Sequence, residues 1–107
     1  VLKGSIIDYC VDLRKKSKTF LKKHKFHLKK NSILFIPKGF AHGYLCLKKE
    51  NKLVYLLSNY WFKKYEKVLD FNDKKINLGI RNKKMITSVR DRQGISLDKF
   101  RKEIKSL

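Results

Sequence analysis

Apolar and polar residues alternate from Gly4 to Leu13, with Ile7, Tyr9, Val11 and Leu13 on one side and Ile6, Asp8, Cys10 and Asp12 on the other. A period of two is that of a β-strand, so the segment is expected to be a strand with one polar face. A basic loop, Arg14 to Lys18, follows. Thr19 to Leu28 then sets Phe20, Leu21, Phe26 and Leu28 among lysines and histidines, and reads as a weaker strand. Asn31-Ser32 reads as a turn, Ile33 to Ile36 as a short buried strand, and Pro37-Lys38-Gly39 as a tight turn. There proline presets φ and glycine can take a positive one. His42 to Leu47 and Leu53 to Tyr60 are the next strands, joined by a charged hairpin connection at Lys48 to Lys52. In the latter strand Tyr55 and Leu57 share one face with Leu53, opposite Val54 and Leu56. Short strands separated by turns point to an all-β sandwich or barrel. The tail differs, because Leu97, Phe100, Ile104 and Leu107 fall three or four apart behind Ser96, a suitable N-cap. That spacing predicts a short amphipathic C-terminal helix.

At 107 residues, with no internal repeat and no Gly/Ser/Pro linker, the chain is expected to form one domain, 1–107. Its longest apolar stretches, such as Ser32 to Pro37, are far short of the roughly 18 residues of a membrane-spanning helix. Its 42% hydrophobic and 12% aromatic content argues against disorder. Cys10 and Cys46 are too few for a disulfide scaffold and read as small buried thiols. Val1 to Val11 carries the strand pattern and not a secretory signal, so the cytoplasm is the expected compartment. The first residue is Val1 and not Met, and it opens on what reads as strand interior, as expected of a piece of something longer.

The net charge of +19, from 28 Lys and Arg against 9 Asp and Glu, raises nucleic acid as a partner. The distribution weakens that reading. Lysine recurs in almost every segment from Lys3 to Lys105, and arginine, the usual base-reading residue, is scarce. A lysine coat around an ordinary fold is the simpler account, with no specific nucleic acid and no membrane as partner. A basic β-domain binding single strands through exposed aromatics such as Tyr60 and Trp61 is the alternative of another class.

Two stretches are more specific: Gly4-Ser-Ile-Ile-Asp-Tyr-Cys-Val-Asp-Leu-Arg14 and Ile36-Pro-Lys-Gly-Phe-Ala-His-Gly-Tyr44. Ser17-Lys18-Thr19-Phe20, Val54-Tyr55, Asn59-Tyr60, Glu66, Phe71-Asn72-Asp73 and Ile86-Thr87-Ser88-Val89-Arg90-Asp91 accompany them in order. Together they resemble the dTDP-4-dehydrorhamnose 3,5-epimerase family of cupins over about nine-tenths of the chain. The resemblance implies a cupin double-stranded β-helix, or jelly roll, incomplete at its N-terminus. It also implies a homodimer acting on a nucleotide-linked 4-keto-6-deoxyhexose without metal or redox cofactor, in L-rhamnose biosynthesis.

The implied reaction inverts C3 and C5, the carbons flanking the C4 ketone. Removing such a proton requires a base and a stabilised enolate, and inversion requires an acid on the opposite face. In the family the base is a histidine oriented by an aspartate, and the acid is a tyrosine. Tyr55 matches the acid and Asp91 the orienting aspartate. His42 and Glu66 match substrate-contacting positions, Arg90 stands where a substrate-contacting lysine is usual, and Asp8 matches a carboxylate on the pocket wall.

The departures are equally specific. The family's base lies in an Arg-Gly-Leu-His segment upstream of the Gly-Ser-Ile-Ile-Asp strand, and this chain starts just before that strand. Trp61 replaces the second of two tyrosines, Leu56 the lysine that commonly follows the acid, and Arg81-Asn82 the usual Trp-Pro. Leu56 and Trp61 keep open a related sugar-nucleotide keto-isomerase or a cupin that binds without catalysis.

Plainer readings stand beside each residue. Tyr55 fits a core or rim tyrosine, His42 a hydrogen-bonded structural histidine beside Gly43, and Asp8 a partner for a lysine. Asp91 with Arg92 fits a surface ion pair, Asp12 with Arg14 a structural one, and Asp73 a turn. His24 and His27 are three apart, yet no Cys or carboxylate cluster accompanies them, so no metal is expected.

Overall fold

The structure is a computed structural model and describes residues 1–80 and 84–104. Leu107 of the expected tail helix and the Arg81-Asn82 pair lie outside the described residues. The chain divides into two compact units, Val1–Ser58 and Asn59–Leu107.

The first unit is built on an antiparallel sheet of β1 (Ser5–Asp12), β2 (Lys23–Lys29) and β3 (Phe40–Cys46), in the order β2-β1-β3. Asp8 pairs with Phe26 and Tyr44, and Cys10 with His24 and His42. Opposed residues of an antiparallel pair point to the same face. One face therefore carries the rows Phe26-Asp8-Tyr44 and His24-Cys10-His42, and the other carries Lys25-Tyr9-Gly43 and His27-Ile7-Leu45.

The alternation in β1 fixes which residues share a face, and the polar face is as buried as the apolar one. Asp8 at 4% exposure and Asp12 at 0% are as buried as Tyr9 and Val11. Burying a carboxylate is tolerable only when it is fully hydrogen-bonded. Asp12 meets that condition by accepting from Arg14 Nε and Nη2, both at 2.9 Å, from the Arg14 backbone N–H at 3.0 Å, and from Thr19 Oγ1 at 2.5 Å. The basic loop is thereby tied to the end of β1, as expected of a structural Asp12–Arg14 pair.

The Pro37 turn forms as expected. The Phe40 N–H donates to the Pro37 carbonyl at 3.4 Å, and Gly39 has φ +92°. A side chain at Gly39 would also collide with that of Arg14. The weaker strand is shorter than expected, since residues 19–21 form turns and only Lys23–Lys29 pairs.

Two expected strands do not form. Ile33 to Ile36 makes no ladder, and Ile33 and Phe35 are 94% and 85% exposed. Leu53 to Tyr60 is likewise unpaired; Lys52 instead bridges back to Lys3, and Val54, Leu56 and Leu57 are exposed. A run of apolar and β-branched residues favours a strand, yet a strand also needs a neighbouring backbone. Among the described residues neither segment has one.

In the second unit, Leu69 and Ile95 form an isolated parallel bridge, and Ile76, Leu97 and Phe100 are the buried apolar residues. Gly94 is required there because a Cβ would lie 2.6 Å from the Asp70 nitrogen. Helix α1 (Val89–Arg92) was not foreshadowed by the apolar pattern, being only one turn long and without buried residues. Helix α2 (Leu97–Glu103) is the expected tail helix, with Ser96 Oγ accepting from the Lys99 N–H at 3.3 Å. Asp73, read as a turn residue, also joins this start by accepting from the Leu97 N–H at 2.7 Å and the Lys75 N–H at 2.8 Å. Those backbone donors, Leu97 first, hold its carboxyl below the usual carboxylate range. No helix among the described residues is long and apolar enough to cross a membrane.

Candidate active site

The six candidate residues fall into two clusters, one in each unit. Asp8, His42 and Tyr55 come together in the first. Asp8 Oδ2 lies 3.2 Å from His42 Nδ1, and Asp8 Oδ1 accepts from Cys10 Sγ at 3.4 Å. The register explains this. Asp8 and Cys10 are successive inward residues of β1, His42 is opposite Cys10, and Tyr44 is opposite Asp8. With its carboxylate accepting, Asp8 assigns the proton to Nδ1 of His42 and leaves Nε2 as the free ring nitrogen. The His42 side chain is one-third exposed, enough for a ligand to reach it.

Tyr55 stands over the same face from the unpaired segment after Lys52. Its ring centroid is 6.4 Å from that of His42 and 6.3 Å from that of Tyr44. Desolvation of its hydroxyl, with a hydrogen bond to Tyr44 and the nearby charge of Asp8, raises its pKa above the ordinary phenol value. The phenol therefore stays protonated throughout the neutral range and is available as a donor.

Tyr44 was not foreseen at the site, although it lies within a quoted motif, and Cys10 was read only as a buried thiol. Pairing register was the missing signal, because it sets Tyr44 opposite Asp8. Cys10 is buried as expected, whereas Cys46 is exposed, a correction caused by its place at the end of edge strand β3. Burial first, then the charge and hydrogen bond of Asp8, pushes the Cys10 thiol up to about 12. Titration with a disulfide reagent at mildly alkaline pH is thus expected to label Cys46 at once and Cys10 only after denaturation. Two thiols reacting at the same rate in the folded chain would contradict this environment.

The second cluster contains Glu66, Arg90 and Asp91. Arg90 Nη1 donates to Glu66 Oε1 at 2.9 Å, and Arg90 Nε lies 3.9 Å from Asp91 Oδ1. Ser88 caps α1 by accepting from the Asp91 N–H at 3.0 Å, which fixes the backbone of Asp91 and leaves its carboxylate partly exposed. The ion partner of Asp91 is Arg90 and not Arg92, which donates to the Thr87 carbonyl.

Residues 1–99 match the family model described as dTDP-4-dehydrorhamnose 3,5-epimerase. The chain is 39% identical to the Shigella flexneri protein of that name over 77 residues, covering 70% of this chain and 42% of that protein. It is 30% identical to the Pseudomonas aeruginosa protein of the same name over 95 residues, covering 85% and 52%. The crystal structure of dTDP-4-dehydrorhamnose 3,5-epimerase from Elizabethkingia anophelis NUHP1 superposes with a TM-score of 0.76 at 27% identity, covering 92% of this chain and 56% of that one. The Bacillus anthracis enzyme of that name, crystallised with TDP and PPi bound, gives 0.74 at 29% identity, covering 91% and 57%. The chain thus spans about half the length of the relatives it matches. With the ordered motifs, the family match and the shared architecture in agreement, the chain belongs to the dTDP-4-dehydrorhamnose 3,5-epimerase family and has that family's cupin jelly-roll fold.

Proposed function

We propose that this chain carries the acid and part of the substrate-binding surface of a 3,5-epimerase site. The site would act on dTDP-4-dehydro-6-deoxyglucose and yield dTDP-4-dehydro-L-rhamnose, as a cytoplasmic homodimer with 1–107 forming one part of the catalytic domain. The observation that carries this reading is the convergence of Asp8, His42, Tyr44 and Tyr55 on one sheet face.

The chemistry follows from the C4 ketone. A C–H bond beside a carbonyl is broken when a base takes the proton and the electron pair moves onto the ketone oxygen as an enolate. Tyr55, kept protonated, returns a proton to carbon from the face opposite the base, and the centre inverts. A phenol is a weak acid in water, but the enolate is a stronger base, so the transfer runs downhill once both are shielded from solvent. His42, held by Asp8, presents Nε2 to the sugar, while Glu66 and Arg90 supply further substrate contacts. Asp91 takes the role of orienting the base. The base itself belongs to an Arg-Gly-Leu-His segment, a sequence not found within residues 1–107.

Titration of isotopically labelled chain with dTDP-4-dehydro-6-deoxyglucose tests the binding half of this reading. The amides of Asp8, His42, Tyr44 and Tyr55 are expected to shift together and saturably. Shifts confined to other residues, or none, would remove the proposed site.

A further inference from the structure

The face of the sheet opposite the Asp8–His42 cluster bears a pocket that the epimerase reading does not use. Ser5, His27 and Leu47 share that face by register, since Ser5 pairs with Lys29 and the Leu47 N–H donates to the Ser5 carbonyl. They line a pocket of about 410 Å³ with Lys29, Lys30 and Lys48. The lysines arrive from two segments: Lys29 and Lys30 from the end of β2, and Lys48 from the chain leaving β3.

Convergence on one cavity distinguishes these lysines from the general lysine coat. Some cations elsewhere meet carboxylates, as Lys3 does Glu50, Lys67 Glu103, Lys75 Asp98 and Arg90 Glu66. Among the described residues no carboxylate forms an ion pair with Lys29, Lys30 or Lys48, and Glu50, two residues from Lys48, is held by Lys3. Buried Ser5 places its Oγ 2.7 Å from His27 Nε2, fixing the imidazole at the wall, and half-exposed Leu47 adds an apolar patch to the open groove. Three ammonium groups beside a hydroxyl and an imidazole complement a multiply charged oxyanion. The volume is that of small-molecule sites and leaves room for more than a lone inorganic ion.

We propose that this pocket binds a small phosphate-bearing molecule, at a site separate from the Asp8–His42–Tyr55 face. Pyrophosphate is the probe, added to the chain at about 150 mM salt, where diffuse attraction is screened beyond roughly 8 Å. Calorimetry is expected to show one saturable site, with amide shifts at Ser5, His27 and Leu47. The variant K29Q/K48Q is expected to weaken binding about tenfold or more, a change of about 1.4 kcal/mol. K15Q/K16Q removes the same charge from the exposed loop after β1 and is expected to leave the affinity within about twofold. Equal weakening by the two pairs would overturn the site in favour of general attraction to the +19 chain. Shifts centred on Asp8, His42 and Tyr55, or binding of single-stranded oligothymidylate but not of pyrophosphate, would overturn it as well.

Discussion

Replacing Asp12 by alanine is expected to destabilise the first unit by about 2–4 kcal/mol, a drop of more than ~10 °C in Tm. The side chain has no solvent exposure and accepts four hydrogen bonds, from the Arg14 guanidinium and backbone and from Thr19. Its loss strands the Arg14 backbone N–H, leaves the Thr19 hydroxyl with Ser17 Oγ alone, and frees the loop that leaves β1. The guanidinium is nearly half exposed and can turn to water, which keeps the cost below that of breaking a fully buried pair. The same carboxylate makes stability depend on pH. Arg14, foremost, holds its folded pKa far below the usual carboxylate range, against about 3.9 in the unfolded chain. A depressed folded pKa means that the contribution is complete above the unfolded value and declines as pH falls below it toward the folded one. Thermal melts of wild type and Asp12→Ala should therefore converge as pH drops from about 5 toward 2. Parallel melting curves across that range would show that the ionised Asp12 is not what stabilises the loop.

Tyr55→Phe is expected to cost about 10²–10⁴-fold in formation of the inverted product, the usual range for one positioned acid. The ring, and with it the packing against His42 and Tyr44, is retained, so folding should change little. Proton removal belongs to another residue and should survive, separating two readouts that a merely structural tyrosine would move together. The raised phenol pKa also fixes the pH dependence. Activity of the wild-type site should show no falling limb from Tyr55 below the ordinary phenol value of about 10. A product yield unchanged in Tyr55→Phe would strip this residue of the role of acid.

Much of this was legible in the residues, for reasons that differ from element to element. Strict alternation in Gly4–Leu13 and the Pro37-Lys38-Gly39 turn are local signals, and each forms where it was read. Ser96 capping a three-and-four apolar spacing is local too, and α2 begins there. Ile33–Ile36 and Leu53–Leu57 are continuous apolar runs and still form no strand, because pairing depends on a second backbone that a single segment cannot report. The Asp12–Arg14 pair could be read from two residues two apart, whereas the further donor, Thr19, lies beyond the strand and gave no such signal. Asp8, His42 and Tyr55 were reached through ordered motifs and not through periodicity. Tyr44 emerged only when the β1–β3 register set it opposite Asp8, whereas Cys10 already shared that face of β1 by alternation.

Solvent exchange decides whether this chain supplies the acid side of a 3,5-epimerase site. The chain is joined to an N-terminal segment of a family member carrying Arg-Gly-Leu-His and incubated with dTDP-4-dehydro-6-deoxyglucose in deuterium oxide, with C3 and C5 followed by proton NMR. Deuterium at both carbons with inverted product is expected from the Tyr55 chain, and exchange with little inversion from Tyr55→Phe. No exchange at either carbon in a folded, substrate-binding assembly would contradict it.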